Sequence, residues 1–153
     1  MFVKSASRTV TLKILTILLL LFCFRVAAQL LQKIWDIPLL PEYDTWHSAS
    51  ISYSTLLLSQ LIIILLSVVV IMRINQDSYR AHPVRCKIML WLGWIYFLFM
   101  LIRFVLSITV MQSHSWFGAT MPAFSHMVLA GFLIVLGEYE KSQLNAQGVR
   151  SDS

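Results

Sequence analysis

The feature that most constrains this chain is a set of four apolar runs, each long enough to cross a lipid bilayer. They cover residues 11–31, 51–72, 88–111 and 119–137. A bilayer core about 30 Å thick requires roughly 20 apolar residues in an α-helix. A lone strand in lipid would leave its backbone groups unpaired, so each run is predicted to be a helix.

The composition supports this interpretation. Hydrophobic residues make up 58% of the chain and charged residues 12%, whereas soluble domains carry about 25% charged residues. Lipid must therefore solvate part of the surface. We predict an all-α membrane protein in which residues 1–141 form one antiparallel four-helix transmembrane bundle. Residues 142–153 are predicted to be a polar, disordered tail.

The distribution of Lys and Arg predicts the orientation. Nine of these residues lie beyond or close to the ends of the runs on one side, and only Lys33 lies on the other. Basic residues concentrate on the cytoplasmic side of a membrane, so both termini are predicted to be cytoplasmic. The nine residues are Lys4, Arg8, Lys13, Arg73, Arg80, Arg85, Lys87, Lys141 and Arg150. This topology accounts for the net charge of +5 better than nucleic-acid binding does.

The first run has an alternative interpretation. A basic start, an apolar core and the small residues 26–28 before Gln29 are also typical of a signal peptide. Cleavage after Ala28 would leave three helices. Arg25 directly after the apolar core does not fit a signal peptide, which carries its basic residues before the apolar core.

Each predicted span carries a strongly polar residue well inside its ends. These are Arg25, Gln60, Arg103 and His126. At 1.5 Å per residue, all four fall in the outer half of a core about 30 Å thick. Charged residues inside a membrane normally face the protein interior or a cavity.

The helical spacing places further polar or small residues on the same faces. We predict that four such stripes face inward and form a polar chamber that is open toward the outer surface. The stripes are Arg25, Gln29, Gln32 and Asp36; Ser52, Ser59, Gln60 and Ser67; Tyr96, Arg103 and Ser107; and Ala119, His126, Ala130 and Gly137.

Two arginines at one depth repel each other unless a negative group lies between them. That group is predicted to be a carboxylate of the first outer loop (Asp36, Glu42 or Asp44), a lipid phosphate or a bound anionic ligand. In a purely structural interpretation, Arg25 and Arg103 extend toward the interface while Gln60 and His126 only hydrogen-bond to neighbouring helices.

His126 also allows a haem or quinone site, with His47 or His114 as the second ligand of a haem. The sequence lacks the motifs H-E-x-x-H, G-x-S-x-G and the Walker loop. Cys23 and Cys86 are predicted not to form a disulfide, and Cys86 is expected to be an exposed thiol. Glu138, Glu140 and Lys141 are expected to be a solvated helix end.

The sequence therefore favours a non-enzymatic membrane protein that needs no cofactor or metal. It is predicted to be a ligand- or lipid-binding, transport-accessory or complex subunit. Four short-looped helices in about 150 residues are a form shared by many small bacterial plasma-membrane proteins, which is an analogy of form only. Besides the lipid bilayer, a second copy or a membrane partner subunit is an expected partner.

Overall fold

A computed structural model describes the backbone of residues 2–35, 53–110 and 116–151, and the side chains of residues 8–35, 54–105 and 123–147. These parts form four helices and contain no strand. They are α1 (Phe2–Trp35), α2 (Tyr53–Asn75), α3 (Pro83–Val110) and α4 (Trp116–Ser151). Each helix contains a segment that is long and apolar enough to cross a membrane. The prediction of an all-helical chain with four such helices is confirmed.

Helices α3 and α4 extend beyond their predicted cytoplasmic ends. Helix α3 begins at Pro83 rather than at residue 88, because proline suits the first helical turn, where its missing N–H is not needed. Helix α4 continues to Ser151, through the tail that was predicted to be disordered from residue 142. The extension is rich in good helix formers and contains no proline, so hydropathy alone gave too short a helix.

Helix α1 contacts both α2 and α4, and α4 also contacts α3. Among the described residues, no Cα atom of α2 comes within 8 Å of one in α3. The spatial order is therefore α2, α1, α4, α3, with an opening between α2 and α3.

Two apolar clusters hold α1, α2 and α4 together. The first contains Leu15, Ile74 and Leu136, with Phe132 and Tyr139. It lies near the short linker formed by residues 76–82. The second lies farther along α1 and consists of Phe22, Val26 and Val128. These clusters give α1 a central position between α2 and α4.

The closest helix pair is α3 and α4, which meet through two glycines. A Cβ atom on Gly93 would lie 2.8 Å from Ile134 Cγ1, and one on Gly137 would lie 2.8 Å from Leu90 Cγ. Small residues allow membrane helices to approach at such short range. Two small residues of the predicted stripe of α4 therefore pack against α3: Ala130, which is fully buried, and Gly137, which is also buried. The side chain of Ala119 lies outside the described residues.

Helix α1 is continuous across the possible cleavage point after Ala28. Val26 and Gln29 on either side of that point are both buried against other helices. The segment that would be removed as a signal peptide therefore supplies much of the internal packing of this fold.

Candidate functional site

The polar stripe of α1 faces the protein interior. Gln29 is only 1% exposed and Gln32 is also buried, while Arg25 is half-buried. The Arg25 Nη1 atom donates a hydrogen bond to Gln29 Oε1 over 2.8 Å. The four-residue spacing makes this contact possible, because residues i and i+4 are neighbours on one helix face.

Helix α2 joins this stripe through Gln60. Its side chain is 6% exposed, and its Nε2 atom donates to Gln29 Oε1 over 3.1 Å. Ser67 is buried on the same face. Ser59 was predicted to belong to this stripe, but it is exposed and donates to the Leu56 carbonyl of its own helix. It lies one residue, or about 100° of helical rotation, from Gln60.

Gln29 is the centre of the network. Its Oε1 atom accepts hydrogen bonds from both Arg25 and Gln60. Its Nε2 atom is buried and has no hydrogen-bond partner among the residues the structure describes. The sequence placed Gln29 on the stripe but did not select it as a site residue. Its spacing from Arg25 was the available signal, and a glutamine is less conspicuous than a charge.

His126 lies on the neighbouring helix α4 and contacts α3. Its Nδ1 atom is 2.8 Å from the Tyr96 hydroxyl oxygen, and the two rings meet edge to face with centroids 5.8 Å apart. His126 is also within electrostatic range of both Arg25 and Arg103. The structure therefore brings the four predicted site residues into one region, although only Gln60 among them is fully buried.

Arg103 is exposed, yet it lies on the inner flank of α3. Met89, Tyr96 and Arg103 follow each other at intervals of seven residues, so they share one helix flank. Met89 packs against the apolar cluster of α1, α2 and α4, and Tyr96 contacts His126. Arg103 is thus exposed toward the opening between α2 and α3.

The predicted charge partners Asp36, Glu42 and Asp44 lie outside the described residues, as do His47 and His114. Within the described part of the chain, no group of three His, Cys, Asp or Glu side chains could hold a metal ion. The region is therefore built from guanidinium, amide, imidazole and phenol groups, which bind anions and polar head groups by hydrogen bonding.

No protein-family model, curated protein sequence or solved structure matches the chain. The function therefore has to be argued from the chemistry of these residues alone.

A second polar cluster lies at the opposite end of the helices, and the sequence did not predict it. Glu140 is 0% exposed, which corrects the expectation of a solvated helix end. Its Oε1 atom accepts hydrogen bonds from the Tyr79 hydroxyl and from Arg85 Nε. The Arg85 guanidinium also lies over the Tyr79 ring, 4.9 Å from its centroid. Of the three residues expected to form a solvated helix end, Glu138 and Lys141 are exposed.

This cluster fixes the linker between α2 and α3 to α4. Burial and the hydrogen bond to the Glu140 carboxylate raise the pKa of Tyr79 well above its ordinary value. The linker is also held to α1, because Arg8 pairs with Asp77 and donates a hydrogen bond to the Asn75 carbonyl oxygen over 2.7 Å. Both contacts hold residues 76–82 against the helices that flank them.

The two cysteines are free, as predicted. Cys86 is buried rather than exposed, and its thiol donates to the Gly137 carbonyl oxygen over 3.4 Å. The early start of α3 is the reason, since it places Cys86 on the helix face that contacts α4. Cys23 is partly exposed on α1.

Proposed function

We propose that this protein is a non-enzymatic, ligand-binding membrane protein of a bacterial plasma membrane. It holds the anionic group of a ligand near Arg25 and Arg103. The observation that carries this proposal is the Arg25–Gln29–Gln60 hydrogen-bond network around the buried Gln29, with His126 in electrostatic range of Arg25 and of Arg103. Such a protein can act alone as a binding subunit or as the accessory subunit of a transporter or complex.

The proposed topology has both termini in the cytoplasm, with nine basic residues on that side and one on the other. In this orientation, the linker of residues 76–82 and Glu140 lie near the cytoplasmic face. The Gln29–Gln60 network then lies toward the outer face. The first apolar cluster separates the two ends, because Leu15 precedes Arg25 by ten residues, or about 15 Å along α1.

Arg25 and Arg103 lie within membrane-spanning segments, where a charged side chain is costly. On insertion scales an arginine costs about 2.5–3.5 kcal/mol at the centre of a membrane, and an arginine in the outer half of a span costs part of this. Two such groups with a buried amide network are a costly way to hold helices together, since apolar packing would serve. A bound anion forms charge-assisted hydrogen bonds with guanidinium groups, which offsets part of this cost. Gln29 Nε2 adds a further N–H donor beside Arg25.

A redox protein that binds haem or quinone through His126 is the alternative proposal. The Tyr96 hydroxyl already contacts His126 Nδ1, which leaves Nε2 for a cofactor. Among the described residues, His82 is the only other histidine, and it lies at the far end of the helices. A haem would therefore need His47 or His114. The absorbance spectrum tests this alternative, since a haem protein shows a Soret band that His126→Ala removes.

Native mass spectrometry from mild detergent tests the main proposal. We expect the wild-type protein to retain an anionic adduct that Arg25→Ala and Arg103→Ala both lose. Arg73→Ala is the matched control, because Arg73 is an exposed arginine at the other end of α2. Losing one charge-assisted hydrogen bond costs about 1.5–3 kcal/mol, or roughly 10- to 150-fold in affinity. Equal retention of the adduct by all three variants would contradict the proposal.

A further inference from the structure

The opening between α2 and α3 indicates how a ligand reaches the polar network. Among the described residues, no Cα atom of one helix comes within 8 Å of a Cα atom of the other, so the two helices are not closely packed against each other. Exposed apolar side chains lie along both helices, including Leu65 on α2 and Leu92 on α3. A ligand that diffuses within the bilayer can therefore enter sideways.

The flank of α3 beside this opening is amphipathic along its length. Phe99 lies four residues before Arg103, and Leu92 lies seven residues before Phe99, so the three residues follow one edge of the helix. Phe99 is 62% exposed and Leu92 is 55% exposed. A charged guanidinium at one end and two exposed apolar side chains over about 16 Å below it match the polarity of an acidic phospholipid.

Resting on the proposed function above, we propose that the ligand is an acidic phospholipid that enters through the opening between α2 and α3. Its phosphate binds at Arg103 and Arg25, with the Gln29 amide as a further donor. Its acyl chains lie along Phe99 and Leu92 and remain in the bilayer.

Thermal unfolding in a neutral detergent tests the proposal with three probes. Phosphatidylglycerol carries both the charge and the chains, glycerol 3-phosphate carries the charge alone, and phosphatidylcholine carries chains without net charge. We expect a saturable rise in melting temperature with phosphatidylglycerol only. Arg103→Gln and Phe99→Asn are each expected to weaken this response, the arginine variant by about tenfold or more in the half-saturating lipid concentration.

Phe24→Asn is the matched control for Phe99→Asn. Phe24 is an exposed phenylalanine of α1 that lies two residues from the buried Phe22, so it faces away from the packed side of α1. Its response to phosphatidylglycerol is expected to equal that of the wild type. Because the Phe99 variant keeps every charge, it tests the lipid inference even if the Arg103 variant does not fold.

The outcomes separate the two proposals. Equal stabilisation by glycerol 3-phosphate and phosphatidylglycerol, unchanged in Phe99→Asn, would overturn the lipid inference and leave anion binding intact. Equal stabilisation by phosphatidylcholine would show unspecific solvation and overturn the lipid inference. No stabilisation by any of the three, with no adduct in native mass spectrometry, would overturn both proposals.

Discussion

Substituting Gly137 with alanine probes the contact between α3 and α4, the closest helix pair in the structure. The new Cβ atom would lie 2.8 Å from both Leu90 Cγ and Leu90 Cδ2, and 3.3 Å from the Leu90 backbone nitrogen. Cγ is the first branch of the leucine side chain, and the backbone nitrogen moves only if α3 moves. The substitution therefore forces the two helices apart by a few tenths of an ångström.

Two opposed effects determine how much Gly137→Ala changes the free energy of unfolding. Overpacking a close contact costs about 1–3 kcal/mol, whereas replacing a helical glycine by alanine gains roughly 0.5–1 kcal/mol. We expect Gly137→Ala to lower the free energy of unfolding by about 1 kcal/mol or more. Gly131→Ala is the control, because its Cβ would lie 3.9 Å from the nearest Leu18 atoms, an ordinary contact, so it should stabilise slightly.

Equilibrium unfolding in mixed micelles of dodecyl maltoside and sodium dodecyl sulfate, followed by circular dichroism, measures both variants. The two are expected to differ by about 2 kcal/mol. If Gly137→Ala were as stable as Gly131→Ala, the close approach of α3 and α4 would be refuted.

Three further predictions concern the polar groups. Gln29→Leu leaves the buried Gln60 amide and Arg25 without their shared acceptor, and should destabilise by about 1–3 kcal/mol in the same unfolding assay; an unchanged midpoint would contradict the network. Glu140→Leu leaves the Tyr79 hydroxyl and the partly exposed Arg85 without their shared acceptor and should cost about 1–3 kcal/mol, whereas the exposed Glu138→Leu should cost far less. The raised pKa of Tyr79 means that the folded state holds this proton more tightly. The Tyr79 proton therefore contributes to the free energy of unfolding below the unfolded pKa of about 10, and this contribution is lost as the pH rises above that value. Tyr79→Phe should reduce this loss of stability at alkaline pH. If the variant and the wild type lost stability equally with pH, the raised pKa would be contradicted.

The parts of the fold that were predictable depend on local chemistry. The four helices follow from runs of apolar residues, which signal a membrane helix whatever the neighbouring sequence. The inward stripe of α1 follows from the four-residue spacing of Arg25 and Gln29, because helical periodicity alone decides which residues share a face. The close contact at Gly137 followed from the small-residue stripe of α4 in the same way.

Other features depend on contacts between segments that are distant in sequence. Glu140 resembles any charged residue at a helix end, and only the approach of Tyr79 and Arg85, 61 and 55 residues away, buries it. Cys86 was expected in a loop because the charged residues on either side of it ended the apolar run that predicted α3. The opening between α2 and α3 could not be predicted either, since the length of a linker does not determine how far apart two helices lie.

In the proposed complex, the phosphate of the lipid lies beside Arg25 and Arg103. Solid-state NMR can measure this proximity directly through the dipolar coupling between ¹⁵N in arginine side chains and ³¹P in phosphatidylglycerol bilayers. A charge-assisted hydrogen bond places the nitrogen about 4 Å from phosphorus. We expect the coupling of the wild type to weaken clearly in the double variant Arg25→Gln, Arg103→Gln and to weaken less in the double variant Arg73→Gln, Arg80→Gln. Coupling that survives the first double variant and disappears in the second would show that phosphate contacts only the basic residues at the far end of the helices, and would contradict the account.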